Sequence, residues 1–480
     1  MNSLVDGLNA ILWNSVLIYG LLGAGLFFTV RLGAIQFVHF GEMLRVLTSS
    51  GSTDRRGISP FQALTVSLAS RVGTGNLAGV AVALTLGGPG AIFWMWIVAL
   101  VGMATAYSES TLAQLYKVTS KNGNFRGGPA FYMEQGLNAR WAGVVFYNCL
   151  ILSFGLIFVA VQANSIAEAF EGAFHVPKAA VGLVVAFMAG IVIFGGIRSI
   201  AKVAEIVVPA MAGLYLLLAV IIVALNITEV PGMLWAIVAG ALGLEEAVGG
   251  VAGGVMAAAL NGIKRGLFSN EAGMGSAPNI AAVATPDPHH PSSQGLVQAF
   301  GCFVDTIIVS TATALLILLS GTLSPEGATG MQLTQEALAV HLGDIGRYFV
   351  AVAIFFFAFT SILGNYSYAE NAMTFLGFEQ RLPIMLLRAA CLGMVVWGSL
   401  QAVATVFNFA DAAMGLMATI NLIAIVLLSS TVYTLTKDYF SQRRDGREPR
   451  FVADHFPELT QGVDHTVWTE KPPARSNANG

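Results

Sequence analysis

Apolar residues run along this chain in blocks of about twenty, the length a helix needs to cross the hydrocarbon core of a bilayer, and most of the charge falls between the blocks. About eleven spans are predicted, centred on residues 11–30, 61–86, 91–115, 143–170, 179–195, 204–225, 250–284, 296–320, 347–375, 384–400 and 411–435. The seventh is rich in glycine and carries charge, and an apolar stretch from Met233 to Leu244 reads as a short interfacial helix. The pattern is that of an all-α polytopic membrane protein. Composition agrees, with 55% of the 480 residues hydrophobic and 11% charged, against about a quarter charged in a globular domain.

The basic residues set an orientation. Arg31, Arg45, Arg55 and Arg56 follow the first span, Lys117, Lys121, Arg126 and Arg140 the third, and Arg198 and Lys202 the fifth. Arg381 and Arg388 follow the ninth, and Lys437, Arg443, Arg444, Arg447 and Arg450 the last. Loops of opposite parity hold only Lys178 and Arg347. By the positive-inside rule the odd-numbered spans end in the cytoplasm, with the N-terminus outside and the C-terminus inside. Residues 437–480 read as a cytoplasmic tail, helical at first and then disordered. There is no HExxH, Walker loop or CxxCH, so no hydrolytic, phosphate-binding or haem chemistry is expected. Neither an enzyme, a cofactor nor a nucleic-acid partner is expected.

Two spans are punctured. Residues 70–76 read SRVGTGN inside the second, where Gly73 and Gly75 bracket Thr74 and Asn76 follows. Glycine costs a helix interior about 1 kcal/mol relative to alanine, and in hydrocarbon each freed backbone group needs a partner. A span that tolerates this presents its loose N–H and C=O groups to a ligand or an ion. Close helix packing is the plainer alternative for such glycines. The second break, NGIKRGLFSNEAGMGSAPN at 261–279, lies roughly 195 residues further on. Residues 61–230 and 231–436 each hold five crossings and each begins with a broken helix, while residues 1–60 supply one helix and a cytoplasmic loop. An odd number of crossings forces the two groups into opposite orientations, which is an inverted repeat with a site where the breaks meet.

The stretches GTGNLAGVAVALTLGGPGAIFWMW, GGPAFYMEQGL and NGIKRGLFSNEAGMGSAPN resemble the alanine or glycine:cation symporter family. The resemblance implies a sodium-coupled carrier of small amino acids in a bacterial inner membrane, with one extra helix ahead of a leucine-transporter-type core of ten. Its partners would be alanine or glycine, sodium and the lipid bilayer. In such a carrier the N–H groups of Thr74, Gly75 and Asn76 open the second half-helix, whose positive end favours a carboxylate. Carbonyls of Phe268 and Ser269 face the ammonium, and Asn270 and Gly273 line the same pocket. The resemblance makes Gln162 a substrate contact; a helix–helix hydrogen bond is the other reading. It also makes the adjacent hydroxyls of Thr360 and Ser361 sodium ligands, completed by carbonyls of Ala69, Val72 and Phe357 and joined by the amide oxygen of Asn76.

The acids leave choices open. Glu271, close in sequence to Lys264 and Arg265, reads as a gating or structural pair, or as a proton site. Asp305 is a lone carboxylate in an apolar run, a gate or cation-coupling candidate. Glu109, Glu168, Glu205 and Glu370 are expected near helix ends, in contact with interfacial water. The rival functions are the same fold driven by protons through Glu271 or Asp305 and, less favoured, a channel or sensor.

Overall fold

The structure, a computed structural model, describes residues 2–49, 56–120, 123–244, 251–324, 327–459 and 461–469. Arg55, Lys121, Pro472 and Pro473 lie outside the described residues. Among the described residues the regular structure is helical but for two two-residue strands, Val118–Thr119 and Phe125–Arg126, paired antiparallel. The helices that position the site are α1 (Ile18–Arg31), α2 (Pro60–Arg71), α3 (Gly75–Gly87), α4 (Gly90–Leu115), α5 (Arg140–Phe174), α6 (Lys178–Ile193), α7 (Gly196–Leu225) and α8 (Val230–Leu242). They continue with α9 (Val251–Asn270), α10 (Pro291–Ser320), α11 (Asp344–Phe375), α12 (Arg381–Ser399), α13 (Val403–Leu427) and α14 (Ser429–Arg444). Seven of these, α4, α5, α7, α10, α11, α12 and α13, are long and apolar enough to cross a membrane.

Sequence explains where the interrupted helices start and stop. The Ser59 hydroxyl accepts from Gln62 N–H and the Gln62 side chain accepts from Ser59 N–H, both at 3.1 Å, with Pro60 at the first helical position. This reciprocal cap satisfies two donors that a helix start leaves open. At the other end of α2, Val72 turns extended (ψ 94°) before Gly75 re-enters helix. After α9 the backbone unwinds through left-handed residues, Glu271 (φ 56°), Gly273 (φ 85°) and Gly275 (φ 78°), and resumes in the turn Pro278–Ala281. Only glycine adopts such φ values without strain against a Cβ.

Helix α4 is the central post. Its C-terminal half, Thr105 to Leu115, is buried throughout. Gly262 of α9 lies so close to it that a Cβ would sit 2.3 Å from Ala91 O. Such small-residue contacts replace the hydrophobic drive that is lost in lipid. The outer helices show the opposite pattern: Leu183, Phe187 and Ile191 of α6 and Leu217 and Val220 of α7 are exposed. A continuous apolar face of this kind is at rest only in hydrocarbon.

At one end of the bundle the chain ahead of α2 is tied to the chain beyond the second break. Ile58 N–H donates to Val283 O (3.2 Å) and Thr285 N–H to Ile58 O (2.9 Å), forming a parallel bridge. The tail folds back beside it, which corrects the expectation of disorder for the described part. Phe451, Ala453 and Trp468 are buried. Trp468 Nε1 donates to Leu115 O (3.1 Å), Phe451 N–H to His289 O (3.0 Å), and the Lys117 ammonium lies 5.1 Å over the Trp468 ring. Two aromatic anchors in a polar run carry no periodic signal, so composition alone reads as disorder.

Candidate functional site

The first break brings four elements together. Its free N–H groups are held by amide oxygens: Gly73 N–H donates to Asn76 Oδ1 and Thr74 N–H to Gln162 Oε1, both at 3.1 Å. The Thr74 hydroxyl also donates to Gln162 Oε1 (2.8 Å). Gln162 of α5 therefore sits on the break. The Asn76 oxygen assigned to sodium in the sequence reading is engaged by Gly73, while its Nδ2 reaches across to Asp305 Oδ1 (2.9 Å), Ser269 Oγ (3.1 Å) and Ser310 Oγ (3.1 Å). An added side chain would clash at Gly73 and be tight at Gly75. A Cβ on Gly73 would lie 2.4 Å from Ser361 Oγ and 2.8 Å from Gln162 Oε1, and one on Gly75 would lie 3.1 Å from Phe268 Cδ1 and Ser269 Cα.

Helix α11 supplies a second group of oxygens beside the break. Ser361 Oγ donates to Ala69 O (2.6 Å) and approaches Phe357 O (3.0 Å), and Thr360 Oγ1 donates to Phe357 O (2.9 Å). Of the residues named for sodium, Ser361 thus joins α11 to Ala69 of α2, while the Thr360 hydroxyl bonds back to carbonyls of its own helix, Phe356 O (3.0 Å) as well as Phe357 O. Val72 lies three residues beyond Ala69, and its N–H closes onto Leu68 O (2.7 Å). Hydroxyls that donate to carbonyls can instead turn their lone pairs to a cation, leaving the carbonyls as further ligands.

The second break divides its residues between two sides. Phe268 and Ser269 face Gly75, and the Phe268 ring stacks on Phe158 with centroids 4.8 Å apart. Asn270 Oδ1 accepts from Ala272 N–H (3.0 Å), a bond to the unwound chain just past the end of α9. Gly273 lies on the far side, with Leu422, Thr105 and Leu21 around it.

The acids are arranged differently from the expectation. Glu271 does not pair with Lys264 or Arg265: its carboxylate accepts from Ser70 Oγ (2.7 Å) and Ser276 Oγ (2.6 Å). Arg265 pairs instead with Asp411 of α13, and Lys264 Nζ lies 3.8 Å from the same carboxylate. The Arg265 guanidinium also covers the Phe407 and Phe268 rings at 5.1 and 5.7 Å. Asp305 lies in a π-helical turn of α10, Phe303–Ser310, and accepts from Ser269 Oγ (2.6 Å), Thr306 Oγ1 (2.8 Å) and Asn76. It touches both broken helices. Glu168 and Glu370 do have cationic partners, Lys178 (3.2 Å) and Arg388 (3.5 Å), and Glu205 accepts from Gln62 (3.0 Å). Glu109 departs from that group, being fully buried against the second break.

Sequence reasoning passed over Arg71, which stands inside SRVGTGN. It is 1% exposed, its Nη1 lies 3.4 Å from Gln298 O, and its Nε and Nη2 have no hydrogen-bond partner among the described residues. A cation at mid-span was the available signal. Asp411 was missed because nothing local links it to α9, 146 residues away.

Two interrupted helices, packed break to break and ringed by buried oxygens, define a secondary transporter. The fold resembles that of a manganese transporter from Eremococcus coleocola over 86% of this chain and 81% of the other, with a TM-score of 0.50 and 12% identity. The profile of the Sodium:alanine symporter family matches residues 1–453, and the chain belongs to that family. The amino-acid carrier protein AlsT of Bacillus subtilis is 50% identical over 95% of this chain and 96% of its own length. The probable sodium/glutamine symporter GlnT of the same organism is 48% identical over 93% and 92%. The protein is accordingly a cation-coupled amino-acid transporter of the membrane and not an enzyme.

Proposed function

We propose that the protein imports a small neutral amino acid, alanine and/or glycine, together with sodium. The observation that carries this is the meeting of Gly73–Asn76, Gln162 and Ser361 at one break. The substrate carboxylate takes the N–H groups of Thr74, Gly75 and Asn76, displacing the neutral Gln162 oxygen. Its ammonium faces the end of α9 at Phe268 and Ser269. Sodium is held by Ala69, Val72, Phe357, Thr360 and Ser361, close enough to offset the cost of desolvating the carboxylate, which is several kcal/mol. Asp305, joined to Asn76 and Ser269, couples a cation to both broken helices. Entry of one positive charge gains about 2.3 kcal/mol per 100 mV of membrane potential.

Around this site we infer about eleven spans, with the N-terminus outside, the tail in the cytoplasm, and residues 61–230 and 231–436 as inverted five-helix repeats. The Arg265–Asp411 pair and the Phe158, Phe268 and Phe407 rings form the outer gate, and alternating access exposes the site to each side in turn. The bacterial inner membrane is the location that fits.

Reconstituted liposomes with labelled alanine, glycine and glutamine test this directly. Accumulation of alanine or glycine under an inward sodium gradient is expected. Accumulation that follows a proton gradient and ignores sodium favours a second reading, supported by the buried acids Glu271 and Asp305. Preference for glutamine, the substrate for which GlnT is named, overturns the small-substrate assignment.

A further inference from the structure

The unwound segment after α9 turns the N–H groups of Gly273 and Gly275 toward one point, and a carboxylate already stands there. Glu109 Oε1 accepts from Gly273 N–H (3.3 Å) and Oε2 from Gly275 N–H (3.2 Å). Asn421 Nδ2 donates to Oε2 (2.8 Å) and to Gly273 O (3.0 Å), and the Tyr132 hydroxyl holds the Asn421 oxygen. Successive backbone N–H groups in a left-handed turn make a concavity that selects an anion. All three groups bonded to Glu109 are donors, which is what an ionised carboxylate requires.

The first break is built the other way. Its N–H groups at Gly73 and Thr74 meet the neutral amide oxygens of Asn76 and Gln162. A charged ligand outcompetes a neutral amide oxygen for such donors, because hydrogen bonds to ionised acceptors are about twice as strong. It gains nothing by displacing one carboxylate with another.

We propose that Glu109 is a positioning residue: a built-in anion that holds residues 271–277 in their unwound path and closes the second break to external carboxylates, so that the substrate carboxylate has only the first break to bind. The inference rests on the reading above, that an amino acid lies between the breaks. It also fixes the direction of the bound zwitterion, carboxylate toward α3 and ammonium toward the end of α9.

The test uses the full-length protein. Glu109→Ala leaves two amide N–H groups and the Asn421 amide facing a hollow, which formate is small enough to refill. In formate-free buffer, uptake by this variant is expected to fall about a hundredfold and then to recover at least about tenfold on adding formate, while wild type does not respond. Glu109→Asp keeps the charge but draws it back by one methylene. Its half-saturating alanine concentration should rise about tenfold with the maximal rate within about twofold of wild type. Amide hydrogen exchange across 271–277 should quicken in Glu109→Ala and slow again with formate, whatever the transported substrate is.

Wild type that takes up none of the tested amino acids overturns the transport reading and leaves exchange to decide the role of Glu109. Unchanged exchange in Glu109→Ala, or loss of uptake with no response to formate in either readout, overturns the positioning role. If Glu109→Ala does not fold, Glu109→Asp decides: an unchanged half-saturating alanine concentration overturns the proposal.

Discussion

Glycines 73 and 79 lie six positions apart on the same broken helix, yet their surroundings differ completely. A Cβ on Gly73 would collide with Ser361 Oγ at 2.4 Å, whereas at Gly79 the nearest atom is Thr74 O at 3.6 Å. Gly73→Ala is expected to lower sodium-driven uptake at least about tenfold, and Gly79→Ala by less than about twofold, with similar melting temperatures for both. Ser361→Ala removes one of two adjacent hydroxyls at the proposed sodium position; the half-saturating sodium concentration should rise about tenfold with less change in the maximal uptake rate. At this scale the sequence was readable where chemistry forces a residue type: glycine at a break, paired hydroxyls beside carbonyls, an amide at mid-span. It was less readable where one residue type serves two ends. Asn270 and Gln162 are both buried amides, but only the fold determines that one bonds the chain just after its own helix and the other crosses to a neighbour.

Among the elements, the breaks were legible because they interrupt an otherwise continuous apolar period, and each interruption is local in sequence. Pairing between helices is not local, and this is where the expectations for Glu271 and Glu109 failed. Lys264 and Arg265 stand about two helical turns before Glu271 in the sequence, but the unwinding at residues 271–275 carries Glu271 toward Ser70 and leaves the two cations to Asp411 on α13. Removing one member of a buried ion pair strands the other and costs about 3–5 kcal/mol. Asp411→Asn should therefore lower thermal stability markedly, and Arg265→Met combined with Asp411→Leu should recover most of it. Scanning calorimetry or a fluorescence melt of the single and double variants distinguishes this from simple additivity.

For the whole molecule, hydropathy and charge placement were enough to specify an all-helical membrane protein, because lipid leaves few other ways to satisfy a backbone. The docking of the tail was not legible: it depends on a hollow formed by distant segments at Leu115, Lys117 and His289. Its pH dependence follows from His289, whose Nε2 lies 3.2 Å from Val467 O. Burial, and secondarily the Lys117 charge, push the imidazole from 6.5 down to about 4, despite the Val467 carbonyl acting in the opposite sense; Arg450 and His290 add to the lowering. A group whose pKa is depressed when docked takes up a proton on release, so its contribution is complete above pH 6.5 and declines as the pH falls toward about 4. His290, buried beside Asp438 at 3.2 Å, is also lowered and has the same sign. Acidification through that window should speed amide hydrogen exchange of the segment beyond Arg447, once its intrinsic pH dependence is divided out, and Trp468→Ala should do so at neutral pH, having lost a buried indole worth about 3–5 kcal/mol.

The parallel bridge between Ile58 and Val283–Thr285 is joined to Trp468 through Lys117, whose ammonium donates to Ala284 O (2.9 Å) and lies over the indole ring. Any motion that parts the two broken helices at that end must pull on the segment where the tail is fastened. A dye on the tail would then blink once per transport cycle, reporting each turnover as a discrete event from a part of the chain the cargo never touches.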